Sequence, residues 1–308
     1  MHVWQSPHGR PLPAPGGRTL VMAVLNATPD SFSDGGQLAS PQAVVDRAGI
    51  LIEAGADVLD LGGESTRPGA PAVSADEELA RVLPALAALR RAWPDVPISI
   101  DTYKADVAEA AIRAGADIVN DIWGLAHGLS ADDRRRWREI ARRDADVSAA
   151  PAFPALPPMA ETVSRLKCPV IVMHNRPDRD YADFWADLLL DLRLSLALAR
   201  RAGIAEHQIW LDPGFGFAKT VPQNLEALSR LSRIVALGHP VLVGTSRKST
   251  LGAVLGTGVD QRIEGTGATI VWAIQQGGAM VRVHDVREMV RFARMADAIK
   301  AGLAFSGA

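Results

Sequence analysis

An α/β chain folded as a single-domain (β/α)8 TIM barrel is what this sequence predicts, and three observations carry that expectation. Short apolar runs, the first from Leu20 to Val24, end abruptly in polar and turn residues, as buried parallel strands do. Between them lie longer stretches with apolar residues at helical spacing, several of which stop on glycine and turn directly into the next run. The alternation occurs eight times in roughly 285 residues, the count and size of an eight-stranded parallel barrel. A doubly wound open sheet is the competitor, but no G-x-G-x-x-G turn follows the first strand.

Residues 1–19 hold Pro7, Pro11, Pro13, Pro15, Gly16 and Gly17 and read as a lead-in that crosses one end of the fold or is partly mobile. Residues 20–308 form the barrel domain. The first strand empties into Leu25 to Gly36, and a helix follows with Val44, Ala48, Leu51 and Ile52 on one face, closing at Gly55. Strand Asp57 to Leu61 runs into Gly62 to Gly69, and helix Ser74 to Ala92 leads to strand Pro97 to Ile100, which ends at Asp101 and Thr102. Helix Lys104 to Ala114 ends in Ala114-Gly115-Ala116-Asp117, a repeat of Ala54-Gly55-Ala56-Asp57, and announces the strand before Asn120 and Asp121.

The segment at about 128–168 is the least regular and reads as an insertion. Trp137, Ile140 and Ala141 share one helical face there, Arg134, Arg135, Arg136, Arg138, Arg142 and Arg143 are expected on a solvated surface, and Ala149 to Pro158 is expected to be a loop. Regularity resumes with strand Val170 to Met173 before His174, a helix with Phe184, Leu188, Leu192 and Leu196 every fourth residue, and strand Gln208 to Leu211 before Asp212. A helix through Leu225, Leu228 and Leu231 precedes strand Pro240 to Val243. The last round is a helix near Gly267 to Gln276, strand Met280 to Val283 and a helix from Val286 to Ala301. Trp123 and Trp272 are expected in the core, as is the single cysteine, Cys168.

Composition narrows the function. Lys and Arg number 33 against 35 Asp and Glu, a net charge of -2, so no global field favours nucleic acid or an anionic membrane. One cysteine forms no internal disulfide framework and fits a reducing compartment. No leader-like apolar stretch and no run near the ~20 apolar residues of a membrane helix is present, so a soluble, cytoplasmic protein without membrane or nucleic-acid partners is expected.

In such barrels the loops after the strand ends build the active site. Here those positions hold Asn26, Thr66, Arg67, Asp101, Asn120, Asp212, Lys248, Arg282 and His284. Helix capping explains any one of them. It does not explain Arg282 and His284 alternating at the end of an apolar strand, where both face the mouth. Arg67, Arg282 and His284 converge on an anion, and the hydroxyl and glycine groups of Ser31 to Gly36 and Ser65 to Gly69 suit a diphosphate, with Mg²⁺ beside Asn26. Asp101, Asn120, Asp212 and Lys248 suit a flat heterocycle with adjacent N–H donors and a carbonyl. A metal site from Asp101, Asp212 and a histidine lacks any H-x-H or H-E-x-x-H spacing. The residues alone point to an enzyme handling a diphosphate ester of a nitrogen heterocycle.

Nine motifs in order carry a sharper resemblance. They are LNATPDSFSDGG (25–36), DLGGESTRPG (60–69), SIDTYK (99–104), NDIWG (120–124), VMHNR (172–176), DPGFGFAK (212–219), GTSRKS (244–249), EGTGAT (264–269) and RVHDV (282–286). From about residue 20 to 300 the chain resembles the dihydropteroate synthases, pterin-binding enzymes of folate biosynthesis. The resemblance implies condensation of 6-hydroxymethyl-7,8-dihydropterin diphosphate with 4-aminobenzoate, giving 7,8-dihydropteroate and pyrophosphate by a dissociative route. It implies that Asp101, Asn120, Met173, Asp212, Gly216, Lys248 and Arg282 hold the pterin, and that Thr66, Arg67, Pro68, Phe217 and Ser249 border 4-aminobenzoate. Asn26, Arg67, Arg282 and His284 would take the diphosphate, Asn26 would ligate Mg²⁺, and Arg67, Lys248, Arg282 and His284 would act in catalysis.

The flexible loops implied are those of Phe32, Ser33 and Asp34 and of Thr66 to Pro68. Sulfonamide competition and a homodimer are further implications. For His174 a supporting role and a satisfied strand-end position stand equal. Two rivals remain, a pterin-binding domain of a corrinoid-dependent methyltransferase and a non-catalytic paralogue. The first needs neither the Ser65 to Gly69 loop nor the diphosphate set, and the intact Asn26, Arg67, Lys248, Arg282 and His284 count against the second.

Overall fold

The computed structural model describes residues 4–28, 40–65, 71–143 and 154–302. Eight strands, β1 (Leu20–Asn26), β2 (Val58–Gly62), β3 (Ile98–Asp101), β4 (Ile118–Asp121), β5 (Val170–Met173), β6 (Ile209–Asp212), β7 (Leu242–Val243) and β8 (Met280–Val283), pair in parallel in the order 6-5-4-3-2-1-8-7. An isolated parallel bridge, Leu211 to Val241, joins β6 to β7 and all but closes the barrel. The sequence predicts the seventh strand from Pro240, but it is only two residues long. Pro240 has no N–H to give a ladder, so its carbonyl alone contributes, accepting from the Leu211 N–H at 2.9 Å.

Among the described residues the helices are α1 (Pro41–Glu53), α2 (Ala75–Ala92), α3 (Ala105–Arg113), α4 (Ala131–Arg142), α5 (Pro158–Leu166), α6 (Phe184–Ala202), α7 (Val221–Ser229), α8 (Ser232–Val235), α9 (Ser249–Leu255), α10 (Ile263–Gln275) and α11 (Val286–Ala301). Their starts are chemically marked. Ser40, Ser74, Ser130 and Asp183 each accept a backbone N–H from the first turn, and Thr220 and Gln223 form a reciprocal capping box. Leu188, Leu192 and Leu196 of α6 are buried as their spacing predicts, each contributing about 1.5–3 kcal/mol.

Strand periodicity sorts the barrel into layers. One set of side chains, Leu20, Met22, Val58, Ile118, Ile171, Trp210, Leu242 and Met280, fills the lower interior. Trp4 joins it, 2% exposed, its ring 4.5 Å from that of Trp210. The lead-in therefore covers the floor, and buried Asp117 ties it there by accepting from Ser6 Oγ (2.6 Å) and Arg10 Nε (2.9 Å) on one oxygen, while Arg90 Nη2 of α2 donates to the other at 2.5 Å. Two residues further along β2, β4, β6 and β8 the interior turns polar, at Asp60, Asn120, Asp212 and Arg282, and Asp101 joins them from the end of β3.

Within the 128–168 segment α4 carries the expected helical face, α5 begins at Pro158, where a missing N–H costs nothing, and residues 149–153 of the expected loop lie outside the described residues. Several expectations are corrected. Trp137 and Ala141 are buried as expected, but Arg134 and Arg138 are not on a solvated face: they flank Trp137 and turn toward α6. Arg138 pairs with Asp187 and, at 3.4 Å, with Asp191. Helix α10 starts a turn earlier than predicted, at Ile263. Trp272 is 49% exposed, its indole N–H on the Leu228 carbonyl, and Trp123 is half-buried at the rim of the mouth. Cys168 is buried, and burial pushes its thiol up to about 12.

Candidate active site

Parallel register sets the polar layer at one height: Gly62 of β2 lies beside Asp101, Asp101 beside Asn120, and Met173 beside Asp212. These side chains line the C-terminal mouth, which has two adjoining parts. The outer is a cavity of about 230 Å³ lined by Asn26, Asp101, Lys248, Ser249, Arg282 and His284 among others. The inner is a narrower slot between Asp101, Asn120, Met173, Asp212, Phe217 and Lys248. Gly216 borders the outer cavity, and Gly244 and Arg282 border both.

Arg282 crosses the floor of the mouth. Its Nε donates to Asp60 Oδ2 at 2.6 Å and its Nη2 to Asp101 Oδ2 at 2.7 Å. Burial works against the cation, but the charges of Asp60 and Asp101 overcome it and hold the guanidinium pKa above its ordinary value. Burial raises Asp101 to about 7, with Arg282 opposing the shift. Asp212 is also pushed up by burial, to about 6, although its Oδ1 accepts the Gly214 N–H at 2.7 Å. Both acids are thus short of donors, the condition in which a ligand N–H finds a ready acceptor.

The loop after β6 approaches the mouth because two glycines let it. A Cβ at Gly214, φ +66°, would sit 1.9 Å from the His174 carbonyl oxygen, and one at Gly216, φ +88°, would sit 3.0 Å from Lys248 Cδ. Lys248 then lies over the Phe217 ring, its Nζ 4.2 Å from the centroid. Lys219 is buried beneath this loop and donates to the carbonyls of Gly214 (3.0 Å) and Phe217 (3.1 Å), with Nζ 2.8 Å from His174 Nδ1. Burial pushes Lys219 down to about 7, and burial with the neighbouring Lys219 charge pushes His174 down to about 4. His174 therefore acts on the loop and does not face the cavity.

In the outer part of the mouth, His284 follows β8 directly; its Nδ1 is 3.0 Å from Ser246 Oγ, which also accepts the His284 backbone N–H. Below the β2 loop, Lys104 Nζ bridges Glu64 Oε2 (2.5 Å) and Glu78 Oε2 (2.6 Å), and Glu64 Oε1 accepts the Val73 N–H. Phe32, Ser33, Asp34, Thr66, Arg67 and Pro68 lie outside the described residues. The remaining predicted site residues, Asn26, Asp101, Asn120, Met173, Asp212, Gly216, Phe217, Lys248, Ser249, Arg282 and His284, all border one mouth.

Reasoning from sequence missed Asp60, Lys219 and Ser246. Asp60 had a signal, a carboxylate between Leu59 and Leu61 in a strand buried on both faces. Lys219 and Ser246 had only their places in the DPGFGFAK and GTSRKS motifs, which name no role for either.

Fold and mouth together define an α/β barrel with the architecture of an enzyme, its C-terminal mouth lined by the buried acids Asp101 and Asp212 and the cationic side chains of Lys248 and Arg282. Residues 22–284 match the family model described as pterin binding enzyme. The chain is similar to the dihydropteroate synthase of Bacillus subtilis, 45% identical over 282 residues that cover 92% of this chain and 89% of the relative. A Clostridium difficile dihydropteroate synthase solved in the presence of pteroic acid is 42% identical, with a TM-score of 0.82 over 94% of this chain and 99% of that one. The Xanthomonas albilineans dihydropteroate synthase solved with 4-aminobenzoic acid is 37% identical, TM-score 0.80, over 93% and 94% of the two chains. The chain belongs to the dihydropteroate synthase family of pterin-binding enzymes, which are transferases.

Proposed function

We propose that the chain condenses 6-hydroxymethyl-7,8-dihydropterin diphosphate with 4-aminobenzoate, releasing pyrophosphate. The observation that carries the reading is the convergence of Asp101, Asn120, Asp212, Lys248 and Arg282 on one slot that adjoins an outer cavity lined by Lys248, Arg282 and His284. The pterin lies in the inner slot against Met173, its adjacent N–H donors toward Asp212, its carbonyl toward Lys248, and its diphosphate toward Arg282, His284 and Arg67. Thr66, Pro68, Phe217 and Ser249 border the aminobenzoate, so a sulfonamide of the same shape competes there.

The substrate's methylene carbon–oxygen bond breaks first, and the electron pair leaves with the diphosphate, whose growing charge Arg282 and His284 stabilise. Buried Asp101 and Asp212 favour the positive charge that develops on the ring. The arylamine nitrogen then bonds to the methylene carbon and gives its proton to solvent. No activated nucleophile is needed, because a neutral arylamine already carries the lone pair at neutral pH.

Mg²⁺ fits this rim in one way. Among the described residues no three His, Cys, Asp or Glu side chains group to hold a metal, whereas Asn26 offers one amide oxygen beside the outer cavity. A single protein oxygen plus substrate phosphates is an ordinary Mg²⁺ environment. When bound, the ion neutralises charge on the leaving diphosphate.

In this reading residues 20–308 are the pterin-binding domain and residues 1–19 its lead-in. The protein works as a homodimer through α10 and α11, where Trp272, Phe292, Met295 and Ile299 stand exposed on neighbouring helices. The test is pyrophosphate release from purified protein given dihydropterin diphosphate and Mg²⁺, with and without 4-aminobenzoate. Release coupled to dihydropteroate, and abolished in Arg67→Ala or Lys248→Ala, supports the synthase; pterin binding without turnover refutes it in favour of a silent paralogue.

A further inference from the structure

Asp60 sits in the middle of β2 with none of its surface open to solvent. A carboxylate between Leu59 and Leu61 needs partners that offset its desolvation. It has two, and both belong to the ligand-binding wall. Arg282 Nε donates to its Oδ2 at 2.6 Å, and Asn120 Nδ2 donates to the same oxygen at 3.1 Å. Its other oxygen, Oδ1, is buried and has no hydrogen-bond partner among the described residues. Asp60 itself borders neither part of the mouth.

We propose that Asp60 is the positioning residue for pterin recognition, setting the flip of the Asn120 amide and the plane of the Arg282 guanidinium. The inference rests on the reading of the mouth as a pterin site. The two ends of an amide have nearly the same shape and opposite hydrogen-bonding character. Committing one Asn120 N–H to Asp60 leaves the carbonyl oxygen and the second N–H for the slot, the donor–acceptor pair that matches a pterin edge. The flipped amide would set its oxygen against Asp60 and offer the slot the wrong polarity.

Arg282 is a planar fork, and Asp60 on Nε with Asp101 on Nη2 pin two of its three nitrogens. Nη1 is then the donor left to follow the ligand. A purely packing role would not require charge at this position, since Val58, two residues earlier on the same face, fills its layer with an apolar side chain.

The experiment compares wild type with Asp60→Asn, which keeps shape and removes charge, by steady-state kinetics for both substrates. The expected result is a KM for dihydropterin diphosphate raised about tenfold or more, with the KM for 4-aminobenzoate at saturating pterin within about twofold. The loss is also expected to be non-additive with Asn120→Ala: Asp60→Asn costs about threefold less in that background than in wild type. An unchanged pterin KM, or an additive loss, overturns the proposal.

Should Asp60→Asn fail to fold, Asn120→Asp serves instead, because it sets a second carboxylate against Asp60 Oδ2. Its pterin KM is expected to rise about tenfold or more, and adding Asp60→Asn, which leaves one carboxylate against one amide, is expected to recover part of that loss. A loss that the double variant does not relieve overturns the proposal. Wild type that neither binds nor turns over the pterin refutes the site reading and this inference together, whereas an active wild type with an indifferent Asp60→Asn refutes the inference alone.

Discussion

Asp212 offers the sharpest test of how the slot holds a heterocycle, because its ionisation sits inside an accessible pH range. Burial raises its pKa from 3.8 to about 6. The sign follows from linkage. The folded, unliganded chain binds this proton more tightly than the unfolded chain does, so the stability attached to it is fully present below about pH 4 and is lost as pH rises through about 6. At neutral pH the ionised acid is a cost to the fold, which a ligand bringing two N–H donors relieves. Binding therefore runs the other way: only the ionised form accepts both donors, and affinity falls as pH drops through about 6.

At pH 5 about one carboxyl in eleven is ionised, so affinity for a pterin should be about tenfold weaker than at pH 7.5. Asp212→Asn leaves one ligand donor facing an amide N–H, which costs about 3 kcal/mol, roughly a hundredfold, and removes the pH 6 step. The assay is calorimetric or fluorescence titration with 6-hydroxymethylpterin, which carries no diphosphate of its own to titrate. Repeating it in Asp101→Asn separates the second raised acid, near 7, from the first. Wild-type affinity that is flat between pH 5 and 7.5, or an Asp212→Asn variant that keeps the step, would refute the reasoning.

Three other outcomes are expected. Lys219→Met strands the Gly214 and Phe217 carbonyls and His174 Nδ1, so denaturant unfolding should show a loss of about 3 kcal/mol, and the pterin KM should rise because the loop carrying Phe217 is no longer held. Trp4→Ala empties the barrel floor at the end opposite the mouth; about 4 kcal/mol and a melting-temperature drop of roughly 6–8 °C are expected, with kcat unchanged in the folded protein. Met295→Glu with Ile299→Glu places charge on the exposed α11 face, and light scattering should report a dimer in wild type and a monomer in the variant.

What the sequence makes legible follows a physical rule. Strand and helix periods are local, so all eight strand–helix units could be read, and Asp101, Asn120, Asp212, Lys248 and Arg282 stood out as polar residues where apolar runs end. Closure is not local. The brevity of β7 depends on Pro240 meeting β6 across the barrel, and the exposure of Trp272 depends on what α10 leaves uncovered. Arg138 looked like one of six solvated arginines because its partners, Asp187 and Asp191, lie about fifty residues away on α6.

The same rule divides the site itself. A residue that touches a ligand must offer a chemistry the strand does not need, and that mismatch shows in the sequence. A residue that aims another side chain needs only to be complementary to that side chain. Asp60 is complementary to Arg282 and Asn120, 222 and 60 residues away, and Lys219 to His174, 45 residues away, separations that no spacing rule encodes. What such residues aim becomes visible only when the barrel brings the strands into register, and then a buried charge with all its partners on the ligand-binding wall marks where the recognition geometry is held.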